Sequence, residues 1–225
     1  MIAMERKPLV IVGLGETAEL AFGYFQTDSD YDVVAFSAES SFIESPTVHN
    51  LPVIPLDELP SKFPPTQVEV FVAVSSTKLN TVRSRLYYAC KAMEYKMASY
   101  ISSKAYVGFG ATIGENCFIL ENNTIQPFVQ IGDDVTCWSG NHIGHRSIIH
   151  NHCFLSSQVV ISGFCEVGEY CFLGVNSCLA DNVKIGDHSL IGLGSVIHKN
   201  VEPYSIYKTV YAGRQVISTK DFFGL

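Results

Sequence analysis

The chain has 225 residues, 47% hydrophobic and 16% charged, a balance that allows a sizeable buried core and excludes long disorder. Its net charge of −7 and pI near 5.4 exclude a broad electrostatic footprint for nucleic acid. No run of about 18 apolar residues occurs, and the start, MIAMERKPLVIVGLG, lacks a signal-peptide cleavage pattern, so no membrane insertion and a cytoplasmic location are expected.

From the N-terminus, residues 8–15 (PLVIVGLG) read as a buried strand entering a glycine turn. Residues 16–25 carry helical spacing, and 31–36 (YDVVAF) make a second strand. A proline-rich connection spans 45–65 around a short LPVIPL segment. Residues 68–74 (VEVFVAV) form a third strand, followed by a polar turn and a helix over about 79–93. Strands alternating with helices predict a small parallel α/β unit, with 95–101 leading onward. The first turn, Gly13-Leu14-Gly15-Glu16-Thr17-Ala18, is GxGxxA between strand and helix. Such a turn lets backbone approach a phosphate at a helix N-terminus, although the pattern alone suits a structural tight turn equally well. Ser75, Ser76, Lys78 and Asn80 follow the third strand, at the ligand-facing end of a parallel sheet, where Lys78 would meet either a phosphate or solvent.

From Val107 the pattern changes. Every sixth residue from Val107 to Ile197 is Ile, Leu or Val, with Cys137 the one exception among sixteen. A glycine often follows, as at Gly108, Gly114, Gly132 and Gly144, and is expected to permit the turn. Four places after each aliphatic stands mostly Ala, Ser, Cys or Val. This is a hexapeptide repeat, the signature of a parallel β-helix with three flat sides per coil. Residues 107–197 make 91 positions, or roughly five coils at about 18 residues each. Cys117, Cys153, Cys165 and Cys171 fall on the small inward positions, which explains them as packing residues rather than disulfide partners.

Four of the seven histidines crowd into WSGNHIGHRSIIHNHC (138–153), at His142, His145, His150 and His152. None falls on an inward position, so all are expected outward or at turns, open to solvent, ligand or a neighbouring subunit. Catalytic zinc needs three protein ligands and an open position. His145 and His150 resemble one ligand pair of the β-helix carbonic anhydrases, whose remaining ligand lies well upstream; no histidine lies between His49 and His142, so no metal is expected.

With the repeat following the strand, glycine turn and helix, and with the motif YCFLGVNS at 170–177, the chain resembles the left-handed β-helix acyltransferases. More closely, it is similar to the sialic-acid O-acetyltransferase-like and nucleotide amino-sugar N-acetyltransferase group. The resemblance spans nearly the whole chain. It implies a Rossmann-like α/β nucleotide-sugar domain over 1–100, a left-handed β-helix acyltransferase domain over 101–202 and a C-terminal tail over 203–225. It further implies a homotrimer with acetyl-CoA in the groove between subunits, and direct acetyl transfer to the amine of a nucleotide-linked amino sugar in bacterial surface-glycan biosynthesis.

His145 aligns with the family's general base, and a neutral imidazole suits that task. Where the family often carries an acidic residue after this histidine, the chain has Arg146. Asn141 or a backbone carbonyl is therefore expected to orient the ring, with His142 as helper and Arg146 left for a phosphate or the cofactor. Phe154, Gly163, Val175 and Leu193 align with acetyl-CoA contacts, the glycine-rich stretch from Gly192 allows close approach of the pantetheine arm, and Arg214 is a candidate for a CoA phosphate. Gly13, Leu14, Gly15, Phe36, Ser37 and Lys78 are expected to hold the sugar nucleotide, Phe36-Ser37 standing where the family often has an acidic stretch. The sequence does not choose between amine and hydroxyl acceptors. A sugar O-acetyltransferase and a non-catalytic trimeric scaffold are the alternatives.

Overall fold

A computed structural model describes residues 6–210 and 218–224. The chain opens with β1 (Lys7–Val12), whose last four residues are fully buried. Helix α1 (Glu16–Thr27) follows and buries Ala18, Ala21 and Phe25, one stripe at helical spacing. β2 (Tyr31–Ala38) runs two residues further than the sequence pattern suggests. The proline-rich stretch supplies β3 (Thr47–Val48) and β4 (Leu51–Pro55), a hairpin whose turn residues His49 and Asn50 have φ of 51° and 62°. A one-turn helix α2 (Leu59–Lys62), β5 (Glu69–Val72), helix α3 (Thr81–Ala92) and β6 (Lys96–Met97) complete the unit.

The sheet order is β3-β4-β2-β1-β5-β6, parallel everywhere except between β3 and β4. Pro52 and Pro55 fit because β4 lies near the sheet edge, against β3 alone on its outer side. α1 covers one face with Phe25 against Leu9, Ile11 and Phe71. α2 and α3 cover the other with Leu59, Leu86 and Tyr87 against Val10, Val12 and Val72.

Next comes a three-sided coil of two-residue strands, stacked in parallel sheets of seven, six and five, and after it a short helix α4 (Thr219–Phe223). The coil's first side runs through Tyr100–Ile101, Phe118–Ile119 and Thr136–Cys137 to Ile206–Tyr207. The second runs from Tyr106–Val107 to Val196–Ile197, the third from Thr112–Ile113 to Lys184–Ile185. Coiling thus begins before the repeat, in the stretch read as a connector, and continues past it into the stretch read as tail. The repeat's aliphatics and small residues form one continuous interior, from Cys117 to Val201. Burial there pushes the Cys117 thiol up to about 12, as expected for an inert packing cysteine.

The glycines serve a purpose other than the one the sequence suggests. The left-handed turn residue is two places later, for instance Arg146 with φ of 58°. At Gly144 a Cβ would stand 2.4 Å from the Ser162 carbonyl carbon and 2.6 Å from the Gly163 nitrogen of the next coil. Glycine is required there by the closeness of stacked backbones.

The first side of the coil docks on the α1 face of the sheet, Phe118 meeting Phe71 with ring centroids 5.4 Å apart. Beside this contact lies a buried ionic joint. Arg83 on α3 is 1% exposed, with Nε 3.0 Å from Asp134 Oδ1 on the coil. Its guanidinium also donates to the carbonyls of Val72, Asp134 and Asn116 and to Thr136 Oγ1. Asp134 Oδ2 lies 2.8 Å from His152 Nδ1, and His152 Nε2 lies 2.9 Å from the Tyr88 hydroxyl. His152 therefore points outward from the coil as expected but is not open to solvent, because α3 covers it to 1% exposure. Asn80 is buried too, donating to the His152 carbonyl at 2.6 Å, so it serves the joint rather than the ligand-facing end of the sheet.

Among the described residues no helix is long and apolar enough to cross a membrane. Removing one partner of a buried, hydrogen-bonded ion pair leaves the other charge uncompensated, so Asp134→Ala is expected to cost about 3–5 kcal/mol, measured by urea denaturation. A second tie is Asp28 at the end of α1, which accepts from Ser103 N, Tyr100 Oη and Ser102 Oγ of the coil's first turn. These bonds hold its carboxyl down at about 2. Its contribution is expected to be complete above the ordinary carboxylate range and lost as pH falls towards about 2, a loss absent from acid titrations of Asp28→Asn.

Candidate active site

After Ile143 the chain leaves the second side and turns through Gly144-His145-Arg146-Ser147 onto the third. Ser147 points inward and accepts the Cys165 N–H, which leaves His145 and Arg146 exposed at the corner. Gln126, at the same corner one coil earlier, places its Oε1 2.8 Å from the His145 backbone nitrogen and 3.1 Å from ring Nδ1. The imidazole lies over Gly163, where a Cβ would approach Cε1 to 2.7 Å. Phe164 meets the ring edge-on at 5.0 Å. Arg146 turns the other way, its guanidinium 4.6 Å from the centre of the Phe128 ring.

Asn141 does not orient His145. It is 1% exposed, donating to the Trp138 carbonyl and accepting the Val159 N–H inside the coil. Gln126 is the residue that sequence reasoning missed. His142 stands on the flat second side between Thr124 and Val160, before the corner rather than on it. His150 lies at the next corner with Nε2 3.2 Å from Glu166 Oε1; Lys184 and His150 hold that carboxyl below its usual range. The four histidines are thus spread over one side and two corners. No cluster of three metal-ligating side chains occurs among the described residues.

The residues aligned with cofactor contacts also separate. Phe154 is 9% exposed and stacks on Phe172 at 5.3 Å on the first side. Gly163 is the floor beneath His145. Val175 and Leu193 are about half exposed at the corner between the first and second sides, and Gly192 donates to the Tyr207 carbonyl at 2.7 Å. One chain therefore holds His145 at one edge of its second side and Val175 with Leu193 at the other. Arg214 lies outside the described residues.

In the α/β unit, Gly13, Leu14 and Gly15 line a cavity of about 690 Å³ with Ala38, Glu39, Phe42, Val74, Thr77 and Arg85. Such a volume suits a small-molecule site. Gly13 has φ of 139°, and a Cβ there would stand 2.4 Å from the Ala73 carbonyl oxygen, so only glycine fits this bend. Phe36 and Ser37 are wholly buried inside β2 and do not reach the cavity. The strand ends two residues later, where Glu39 supplies the carboxylate that the sequence pattern appeared to lack. Arg85, the one cation in the lining among the described residues, meets Glu39 with two nitrogens at 3.0 and 2.8 Å and holds its carboxyl below the usual range. Lys78 is exposed, its carbonyl accepting from Thr81, and is not part of the lining, whereas neighbouring Thr77 is.

No family model matches the chain, and no curated protein matches it. Solved structures do. The acetyltransferase domain of PglB from Neisseria gonorrhoeae FA1090 superposes with a TM-score of 0.79 at 20% identity, covering 89% of this chain and 96% of that one. A mutant of perosamine N-acetyltransferase from Caulobacter crescentus, in complex with CoA and GDP-perosamine, gives 0.77 at 22%, covering 88% and 92%. WeeI from Acinetobacter baumannii AYE gives 0.76 at 16%, covering 89% and 95%. At these identities the likeness shows the fold alone, a left-handed β-helix.

Because the imidazole rests on Gly163, Gly163→Ala is expected to lift the ring away from Gln126. The displacement is read from the His145 ring signals in NMR spectra, with the thermal transition of the coil as control.

Proposed function

We propose that the chain transfers an acetyl group from acetyl-CoA to the amine of a nucleotide-linked amino sugar, working as a homotrimer in bacterial surface-glycan biosynthesis. The observation that carries the reading is the exposed imidazole of His145, fixed at a coil corner in a fold shared over 88–89% of the chain with an acetyltransferase domain and a perosamine N-acetyltransferase. The N-terminal unit, on this reading a Rossmann-like domain over 1–100, takes the nucleotide in the cavity beside Gly13, Leu14 and Gly15. Glu39 accepts from ribose or base there, and Arg85 exchanges its exposed carboxylate partner for a phosphate. An exposed ion pair is worth roughly 0–1 kcal/mol, so that exchange costs little.

The sugar amine attacks the thioester carbonyl as the free base. A C–N bond forms, the C–S bond breaks, and the sulfur leaves with the electron pair. His145 Nε2 takes the proton that the nitrogen loses and passes it to the departing sulfur, with no covalent acyl-enzyme. A second chain brings Val175 and Leu193, with Gly192, against His145 and so forms the acetyl-CoA groove. Exposed Val160, Val196 and Tyr106 on the second side are the apolar surface such a contact would cover. An amine acceptor is favoured over a hydroxyl by the perosamine N-acetyltransferase likeness.

Acetyl-CoA-dependent thiol release with UDP-, GDP- and dTDP-linked amino sugars tests the reaction. His145→Ala is expected to lower kcat by about 10²–10⁴ with the trimer intact by light scattering. No release with any acceptor, alongside CoA binding, would favour a scaffold. Arg85→Gln is expected to weaken nucleotide binding by about tenfold in calorimetry, the loss of one charge-assisted hydrogen bond.

A further inference from the structure

The contact between Gln126 and His145 decides which ring nitrogen carries the proton. The His145 backbone N–H can only donate, and it points at the Gln126 side-chain amide from 2.8 Å. An NH2 group there would set donor against donor, so the atom is the oxygen. The same oxygen, with two lone pairs, lies 3.1 Å from Nδ1. Nδ1 must therefore carry hydrogen, and the lone pair sits on Nε2. Other groups at the corner leave this bond alone. Arg146 is turned onto Phe128, and Asp181, two coils beyond His145, accepts the Gly163 N–H at 2.9 Å.

We infer that Gln126 is the positioning residue of the site, a neutral acceptor that locks His145 as the Nδ1–H tautomer with Nε2 as its basic atom. The inference rests on the reading of His145 as general base. It also gives a reason why an arginine is tolerated beside that histidine. The acidic neighbour is dispensable because its orienting task has passed to an amide one coil away, leaving Arg146 to stack on an aromatic ring. The substitution is not neutral in chemistry. A carboxylate favours the protonated ring more strongly than an amide oxygen does.

The test uses the full-length chain. 15N NMR of the imidazole is expected to show the Nδ1–H tautomer in the wild type, a mixture in Gln126→Ala, and Nδ1–H again in Gln126→Glu. In the acetyl-transfer assay Gln126→Ala is expected to lower kcat by about 10- to 100-fold with acceptor KM unchanged. Gln126→Glu is expected to recover kcat and to move the acidic limb of the kcat/KM profile to higher pH. An Nε2–H ring in the wild type, or an unchanged tautomer and kcat in Gln126→Ala, would overturn the inference. Ring signals need no turnover, so absent acetyl transfer with the expected tautomers would count against the acyltransferase reading, not against the assignment of the ring.

Discussion

Stacking at an interval of eighteen residues governs the outward-facing residues of the coil, on which the candidate site depends. Strands in such a coil lie about 4.8 Å apart, so each outward residue meets one determined neighbour above and one below. At the corner between the third and first sides this makes a single polar and aromatic column. Asn116 donates to Asp134, Asp134 holds His152, and the rings of His152, Tyr170 and His188 follow with centroids 4.6 and 4.7 Å apart. At the corner between the second and third sides the same interval sets His145 over Gly163 and brings Gln126 within reach from the coil before. A substitution anywhere on a corner is therefore also a change to the site one coil away.

The upper end of the aromatic column is where the α/β unit is fastened. Aromatic packing of Phe25, Phe71, Tyr100 and Phe118 supplies apolar burial, but such contacts tolerate sliding. The Arg83–Asp134 pair does not. Each guanidinium nitrogen has a named oxygen, and the carboxylate is divided between Arg83, Asn116 and His152. A buried ion pair often adds little net stability, because desolvation offsets its attraction. Its directional bonds fix orientation instead. Two residues after Arg83, the same helix sends Arg85 into the cavity. The joint thus sets where the cavity stands relative to the coil.

The interior was legible in the sequence because inward positions are set locally, by the alternation of strand and turn. That rule also condemned Asn141, which stands four places after Cys137 and is therefore an inward residue, buried with its amide spent on backbone. Gln126 was not legible. Its partner lies nineteen residues away, across a coil boundary, and the contact depends on a side-chain rotamer. Phe36 and Ser37 misled for a related reason. β4 pairs with β2 through Ala38, extending the strand and burying both residues, and that partner comes from a stretch whose prolines hide a strand. The cover over His152 was equally out of reach, since no pattern in the coil says which corner α3 will occupy.

The separation of corners bears on how one chain can work. On the reading proposed, acceptor and thioester must meet at Nε2, yet His145 and the exposed pair Val175 and Leu193 occupy opposite edges of the second side. A flat side spanned by a rigid, tightly packed coil cannot fold to bring its edges together. On that reading a second copy, rotated so that its near edge abuts the first chain's far edge, would join them. Closed rotational symmetry repeats that contact without leaving an unmatched surface. On the same reading a homotrimer is one such closure, and it would give each imidazole a neighbour's groove. Exposed Val160 and Val196 lie between the two edges, on the surface that such a rotation would bury.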